Sequence, residues 1–441
     1  MASWILTAEI VEWVFGLASV LDARVEPRLG PLLTGALFAE GRRTVSRWIA
    51  AAGMGHDFKR SYYALSSVGR KSGDVAAALL RLIRRVVPVP ERVVLALDDT
   101  LTKRYGPKVE GAGTHHNPTP GPADAEFAYG HVWVTLAWVV RHPVWGTIAL
   151  PLLSKLYVRV KDFAKIAPRN RWAFRTKLEL AAGLLEWAAL WFSWWQVRLW
   201  VVVDGGYAKR PFLQRACAKG VTVVGRLRKD AALCDVPPER KRGQRGRPPK
   251  YGERIDLARR ANHPKGWRQG EFHLYGKKAA KTYKTFLATY RPAGGVIRVV
   301  IVKEAHGWFA WLCTDPEATV DQILEAVADR AAIEQLFHDV KEVHGAGEQQ
   351  LRHVWANIGA WHLLLWLHTL IELWAWNRPE SELVDRSGRP WDAGPRRPSH
   401  ADKRNALRRA CLEETFSTHA TAASLSEKTR HLVRRLVSLV S

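Results

Sequence analysis

DQILEAVADRAAIEQLFHDVKEVHG, residues 321–345, is the stretch on which the reading of this chain turns. At about 100° per residue on a helix, Ile333, Leu336, Phe337 and Val340 share one face, which needs burial. With Arg330 set to zero, Glu334 falls near ~40° and Lys341 near ~20°. One acid and two bases therefore line a single edge of the apolar stripe. Taken alone, that edge reads first as the ion-pair ladder of a surface helix, with Arg330 and Glu334 as an i,i+4 pair.

Two upstream stretches change the balance. Val93-Val94-Leu95-Ala96-Leu97 ends in Asp98-Asp99-Thr100, and Leu199-Trp200-Val201-Val202-Val203 ends in Asp204-Gly205-Gly206-Tyr207. Short apolar runs rich in β-branched residues and closed by turn residues read as fully buried strands. A carboxylate just past such a strand sits at the rim of a sheet, where ligands collect in α/β folds. Two strand-end carboxylates and a helical one would raise each other's pKa if brought together, unless cations neutralise them. Three oxygen ligands with open positions suit Mg²⁺ or Mn²⁺, and phosphoryl transfer is the chemistry such ions serve. Strand alternation alone does not choose between Asp98 and Asp99 for the first ligand.

Arg330-x3-Glu334-x6-Lys341, preceded by strands ending D-D-T and D-G-G-Y, resembles the DDE insertion-sequence transposases of the cut-and-paste branch with a Tyr-Arg-Glu-Lys signature. IEQLFHDVKEVHG is similar to that branch's wording around its catalytic glutamate, and the resemblance runs from about Val93 to Trp376. It implies an α/β chain whose RNase H-like catalytic core is interrupted by a β-rich insertion, and its D-x-T form selects Asp98. Asp98, Asp204 and Glu334 are then the catalytic, metal-binding triad, holding two Mg²⁺ or Mn²⁺ ions about 4 Å apart. Arg330 and Lys341 would grip DNA phosphates. The implied activity is excision of an element at its terminal inverted repeats and joining of its 3′ ends to target DNA. A synaptic homodimer and a bacterial, nucleoid-associated setting go with it. In similar enzymes a flipped base stacks on a tryptophan, for which Trp308 and Trp311 are candidates. One residue departs from the pattern: the signature tyrosine, three positions before the arginine, is Val327. On a helix it lies about 60° from Arg330, on the side of Glu334 and at the border of reacting DNA.

The chain of 441 residues is long enough for two or three domains, and its formal charge of +25 asks for a polyanionic partner. The charge is spread along the chain rather than gathered beside an apolar span, so nucleic acid is expected and membrane is not. Four cysteines without a C-x-x-C pair support neither a zinc site nor a disulfide framework, and a reducing cytoplasm fits them. MASWILTAEIVEWVFGLASV is interrupted by Glu9 and Glu12 and lacks a basic leader, so it reads as a helix rather than a signal peptide.

Five regions follow. Residues 1–90 read as a helical DNA-binding domain. In it GRRTVSRWIAAAG and FKRSYYALSS form a helix-turn-helix or an ordinary bundle, closed by the prolines of VVPVP. Residues 91–226 hold strands near 93–98, 129–141, 146–157, 199–204 and 221–226, with helices near 170–196 and 208–219. His115 and His116 fall in a Gly/Pro-rich loop, read as exposed or substrate-facing. Residues 227–318 form a basic, β-rich insertion. Its Arg245-Gly246-Arg247-Pro248 matches the core of a minor-groove AT-hook, or is a solvated basic loop. Residues 319–376 carry the Glu334 helix and a second helix. Both that helix and the apolar stretch 178–203 read as core rather than as membrane spans. Residues 377–441 are a linker and a basic C-terminal helix from about Asn405.

Two other classes remain open beside a transposase. A repressor-like DNA-binding protein would use the basic regions without cleavage, and it has no need of three rim carboxylates. A nuclease on the same fold would cleave without joining.

Overall fold

The computed structural model describes residues 4–117, 125–238, 249–384, 391, 394 and 396–419. Arg245 and Arg247 of the AT-hook match lie outside them. Five helices lead: α1 (Ala8–Ala18), α2 (Glu26–Phe38), α3 (Val45–Ala51), α4 (Phe58–Arg70) and α5 (Ser72–Val86). The prolines after Val87 then end helical structure and the chain enters its sheet at Arg92.

The sheet elements that follow are β1 (Arg92–Lys103), β2 (Gly113–His116), β3 (Phe127–His142) and β4 (Gly146–Tyr157). Then come α6 (Lys177–Phe192), β5 (Arg198–Val203), α7 (Arg210–Ala218) and β6 (Thr222–Leu227). Thr176 and Glu179 close a capping box at the start of α6, which sets its first residue later than expected. His115 and His116 are not in a loop: β2 pairs antiparallel with β3 and takes both into the sheet. The central strand order is β4-β3-β1-β5-β6, with β1, β5 and β6 mutually parallel and β3 antiparallel to both neighbours.

The insertion supplies β7 (Leu233–Cys234), β8 (Arg254–Ile255), α8 (Leu257–Asn262), β9 (Arg268–Leu274), β10 (Lys277–Tyr290), β11 (Gly295–Glu304) and β12 (Gly307–Cys313). It continues the core sheet, because β12 pairs antiparallel with β6 and β11 pairs with β12. Trp308 and Trp311 sit three apart on β12 and therefore point to opposite faces. Trp308 packs on the main core and Trp311 on a second cluster with Trp200, Val202 and Val224.

Five helices end the described part of the chain: α9 (Val320–Asp329), α10 (Ala331–Glu342), α11 (Val354–Ala375), the short α12 (Glu380–Leu383) and α13 (His400–His419). The stretch quoted at the outset is thus two helices meeting at Arg330, not one. Ile333, Leu336, Phe337 and Val340 are buried, as their spacing requires. α11 is long and apolar enough to cross a membrane, yet 94% of its apolar window is buried inside the protein. It is the core helix, and α4 lies against it. A Cβ on Gly359 would come within 1.9 Å of the Leu65 carbonyl, and one on Gly69 within 2.1 Å of the Trp355 carbonyl. Only glycine allows that approach, so α4 commits its apolar face to the core and exposes Lys59, Arg60 and Tyr63 along its outer edge.

Candidate active site

β1 and β5 run parallel, with Leu97 opposite Val203. One residue on, Asp98, midway along β1 and paired there with Thr135 of β3, neighbours Asp204, which follows the end of β5. Alternation puts Asp204 on the face of Trp200 and Val202, and Asp98 on the face of Val94, the side that α9 covers. Asp99 takes the opposite face and different partners. Its Oδ2 accepts a hydrogen bond from Lys177 Nζ at 2.6 Å, and its Oδ1 accepts one from the Tyr207 hydroxyl at 2.6 Å.

The D-G-G-Y turn fixes Asp204. Its Oδ1 accepts from the amides of Gly206 at 2.7 Å and Tyr207 at 3.3 Å, an Asx turn that leaves Oδ2 for a ligand. A Cβ on Gly206 would press to 3.0 Å from that same Oδ1, which explains the glycine. Burial raises the Tyr207 phenol well above its ordinary value, and the neighbouring Asp99 carboxylate adds to the rise. Tyr207 therefore stays protonated and donates to Asp99, tying the turn after β5 to the middle of β1.

Arg330 joins the two halves of the site. Its Nη2 pairs with Asp98, its Nη1 donates to Glu334 Oε1 at 2.8 Å, and its buried Nε has no partner. Burial pushes the Asp98 carboxyl up to about 6. The Arg330 charge and the Asp99 amide oppose that rise, while Asp204 and Asp99 add to it. Glu334 is the most open of the three acids, with 63% of its side chain exposed. Lys341 is half-buried two turns beyond Glu334; burial lowers its pKa, Glu342 opposes this, and Lys103 at the end of β1 adds to it.

The donor set suits a hard divalent cation: carboxylate oxygens from the middle of β1, the turn after β5 and one helix. Asp98, buried and reluctant to ionise, gains from any positive charge brought to it. Arg330 is the cation that the chain itself supplies there, and the orphaned Nε leaves its guanidinium incompletely satisfied. Beyond the end of β1, Arg42, Arg104, Lys108 and Arg352 line a cavity of about 370 Å³ with Tyr105 and give it a basic wall.

Two positions escaped the sequence reading: Lys177 and the side chain of Tyr207 as partners of Asp99. Two adjacent acids on one strand must face opposite sides and find separate partners, which was the available signal. Val327 is half-buried and packs on the second cluster beside Trp311, because α9 ends before Arg330 and lies down on the sheet. It is a packing residue rather than one presented with Glu334.

The family described as DDE superfamily endonuclease matches residues 18–287, more than half of the chain, including β1 with Asp98 and the Asp204 turn. No curated protein matches the chain.

Proposed function

The chain belongs to the DDE superfamily of endonucleases, and from that membership we propose that it is a cut-and-paste DNA transposase with an RNase H-like core. Members of the superfamily are divalent-metal-dependent nucleases acting on DNA. The observation that carries the finer reading is the placing of Asp98 and Asp204 one residue past the Leu97–Val203 rung, with Arg330 joining Asp98 to Glu334. The order β4-β3-β1-β5-β6 supports the RNase H-like assignment, and the charge of +25 supports a nucleic-acid partner.

Asp98, Asp204 and Glu334 would hold two Mg²⁺ or Mn²⁺ ions. Bound there, such ions supply activation of a water or 3′-hydroxyl and stabilisation of the leaving 3′-oxygen. The chain's own residues do the positioning. Asp99, held by Lys177 and Tyr207, ties the middle of β1 to the turn after β5 and so keeps Asp98 and Asp204 neighbours. Arg330 has a bidentate fork suited to a phosphate once Asp98 and Glu334 take other partners. Lys341 and the basic wall of Arg42, Lys108 and Arg352 would track the DNA backbone toward the cleavage point. The helical N-terminal region, the Arg245–Arg247 segment and the basic tail would add affinity for the terminal inverted repeats, with two copies bridging two ends.

The test is incubation of purified protein with an end-labelled element terminus, a target plasmid and Mg²⁺, followed by product mapping on denaturing gels. Joined 3′ ends support transposition. Cleavage without joining leaves a nuclease, and tight binding with neither leaves the repressor-like reading.

A further inference from the structure

Three histidines from distant points of the chain meet in the interior, away from the carboxylates. His344 follows α10, His368 lies midway along α11, and His400 opens α13. They are 0%, 3% and 5% exposed. Each offers a ring nitrogen, and the three ligand atoms lie within 4.8 Å of one another. His344 Nε2 stands 2.8 Å from His400 Nε2, and the rings of His368 and His400 stack at 3.8 Å.

We propose that His344, His368 and His400 form a second metal site, specific for Zn²⁺ or a similar borderline transition ion, that fastens the end of the Glu334 helix to α11 and α13. The donor chemistry separates it from the carboxylate site, since imidazoles suit zinc whereas carboxylates suit magnesium.

Four observations build the site. His400 Nδ1 donates to Glu372 Oε1 at 2.6 Å, which fixes the ring and leaves Nε2 as the ligand atom. That carboxylate–histidine pairing is the usual support of a zinc ligand. The Nδ1 atoms of His344 and His368 are buried with no partner, whereas a purely structural network would pair its buried imidazole nitrogens. Burial holds His344 and His368 well below the ordinary imidazole range, so both present neutral, ligating rings. Lastly, a cavity of about 940 Å³ lined by His368, Glu372, His400 and Lys403 gives an ion a way in and room for a fourth ligand.

Tetrahedral zinc with Zn–N near 2.1 Å places its nitrogens about 3.3 Å apart, so the His344–His400 pair opens by about half an ångström on binding. Glu372 also holds Lys403, and its single negative charge offsets only part of the incoming ion. The site is therefore expected to bind zinc reversibly rather than to require it for folding.

The experiment uses the untagged full chain carrying Asp98→Asn and Asp204→Asn, so that the carboxylate site is disabled. After chelation, Co²⁺ and then Zn²⁺ are titrated, reading visible ligand-field bands, bound metal per chain and thermal midpoint. One equivalent with tetrahedral Co²⁺ bands and a raised midpoint is expected, with Mg²⁺ giving neither. Glu372→Gln should weaken zinc affinity about 10- to 100-fold. His368→Ala should abolish the bands, and added Zn²⁺ should no longer raise its midpoint above that variant's own chelated value. Absence of bands in the folded parent, or bands and stoichiometry unchanged by His368→Ala, would overturn the proposal. Because the outcome is independent of Asp98 and Asp204, it stands or falls apart from the transposase reading.

Discussion

Asp98 and Asp204 each lie one residue past the last paired rung of β1 and β5, Leu97 opposite Val203, while Asp99 turns through the sheet to Lys177 and Tyr207. Two adjacent acids thus have separable jobs. Asp98→Asn, Asp204→Asn or Glu334→Gln should each lower DNA cleavage by at least about a thousandfold, as loss of a metal ligand removes charge stabilisation at the reacting phosphate. DNA affinity should change little, because it rests on Lys and Arg contacts to phosphates. Asp99→Asn should instead keep measurable cleavage and lose on the order of 1–3 kcal/mol of stability by weakening two charge-assisted hydrogen bonds. Cleavage rates and urea midpoints on the four variants check this. An inactive but fully stable Asp99→Asn would move the ligand by one residue.

The buried Asp98 carboxyl gives a second expectation. Its pKa is pushed up to about 6 in the fold against an ordinary value of 3.8. A raised folded pKa contributes stability that is fully present below about pH 4 and is lost as pH rises through about 6. Asparagine keeps the neutral form at every pH. Asp98→Asn should therefore match the parent near pH 4 and exceed it above pH 6, by up to roughly 3 kcal/mol before the weakened Arg330 pairing is subtracted. Urea midpoints from pH 4.5 to 8 should show the gap widening and then levelling. A gap that shrinks with rising pH would mean that Arg330 more than compensates the burial.

Packing of the N-terminal helices is tested at Gly359. Alanine would gain up to about 1 kcal/mol in helix propensity, but its Cβ would meet the Leu65 carbonyl. Overpacking typically costs about 1–3 kcal/mol, and here the obstacle is backbone that cannot rotate away. The thermal midpoint of Gly359→Ala should fall, and a rise would show that α4 and α11 are not in contact.

The sequence made some of this legible and hid the rest for physical reasons. Buried parallel strands read plainly because Val93–Leu97 and Leu199–Val203 are continuous apolar runs, and Asp204 closes the second; the first runs on past Asp98 and Asp99 to Lys103, because long-range pairing with β3 extends it. The face of α10 was readable from Ile333, Leu336, Phe337 and Val340. The break at Arg330 was not: it lies in αR geometry with no glycine or proline, and only packing of α9 on Trp200 and Val202 reveals it. His115 was hidden by the Gly/Pro content around it, although pairing with β3 is a long-range event that local composition does not encode. The histidines at 344, 368 and 400 come together only through α11 and α13, so no local spacing announced them.

Val327 follows from that break. Where similar transposases carry a phenol, this chain has a half-buried valine in the cluster of Trp200 and Trp311. A hydrogen bond to a charged group is worth about 1.5–3 kcal/mol, enough to slow a step but not to replace the carboxylate triad. Val327→Tyr should change cleavage by less than about tenfold and lower stability by crowding the cluster. An inactive parent revived by tyrosine would favour the repressor-like reading.

The last expectation concerns Arg330, whose guanidinium joins Asp98 and Glu334 and so supplies the positive charge that a metal would otherwise bring. In DNA-free protein the two cations compete for the same carboxylates. Removing the guanidinium leaves Asp98 and Glu334 without the cation that pairs with them, a place that a divalent ion would then take uncontested. Arg330→Ala should therefore bind Mn²⁺ more tightly than the parent when DNA is absent, by roughly tenfold if about 1.4 kcal/mol of competition is lifted. With DNA present the order should reverse in function if, as proposed, Arg330 grips a phosphate: cleavage should fall although the metal would be held better. Arg330→Lys, a point charge without the bidentate fork, should lie between the two in both measurements. Mn²⁺ titration followed by electron paramagnetic resonance gives the affinities, and end-labelled DNA gives the rates. Equal Mn²⁺ affinity in parent and Arg330→Ala would show that the guanidinium does not occupy the metal's place.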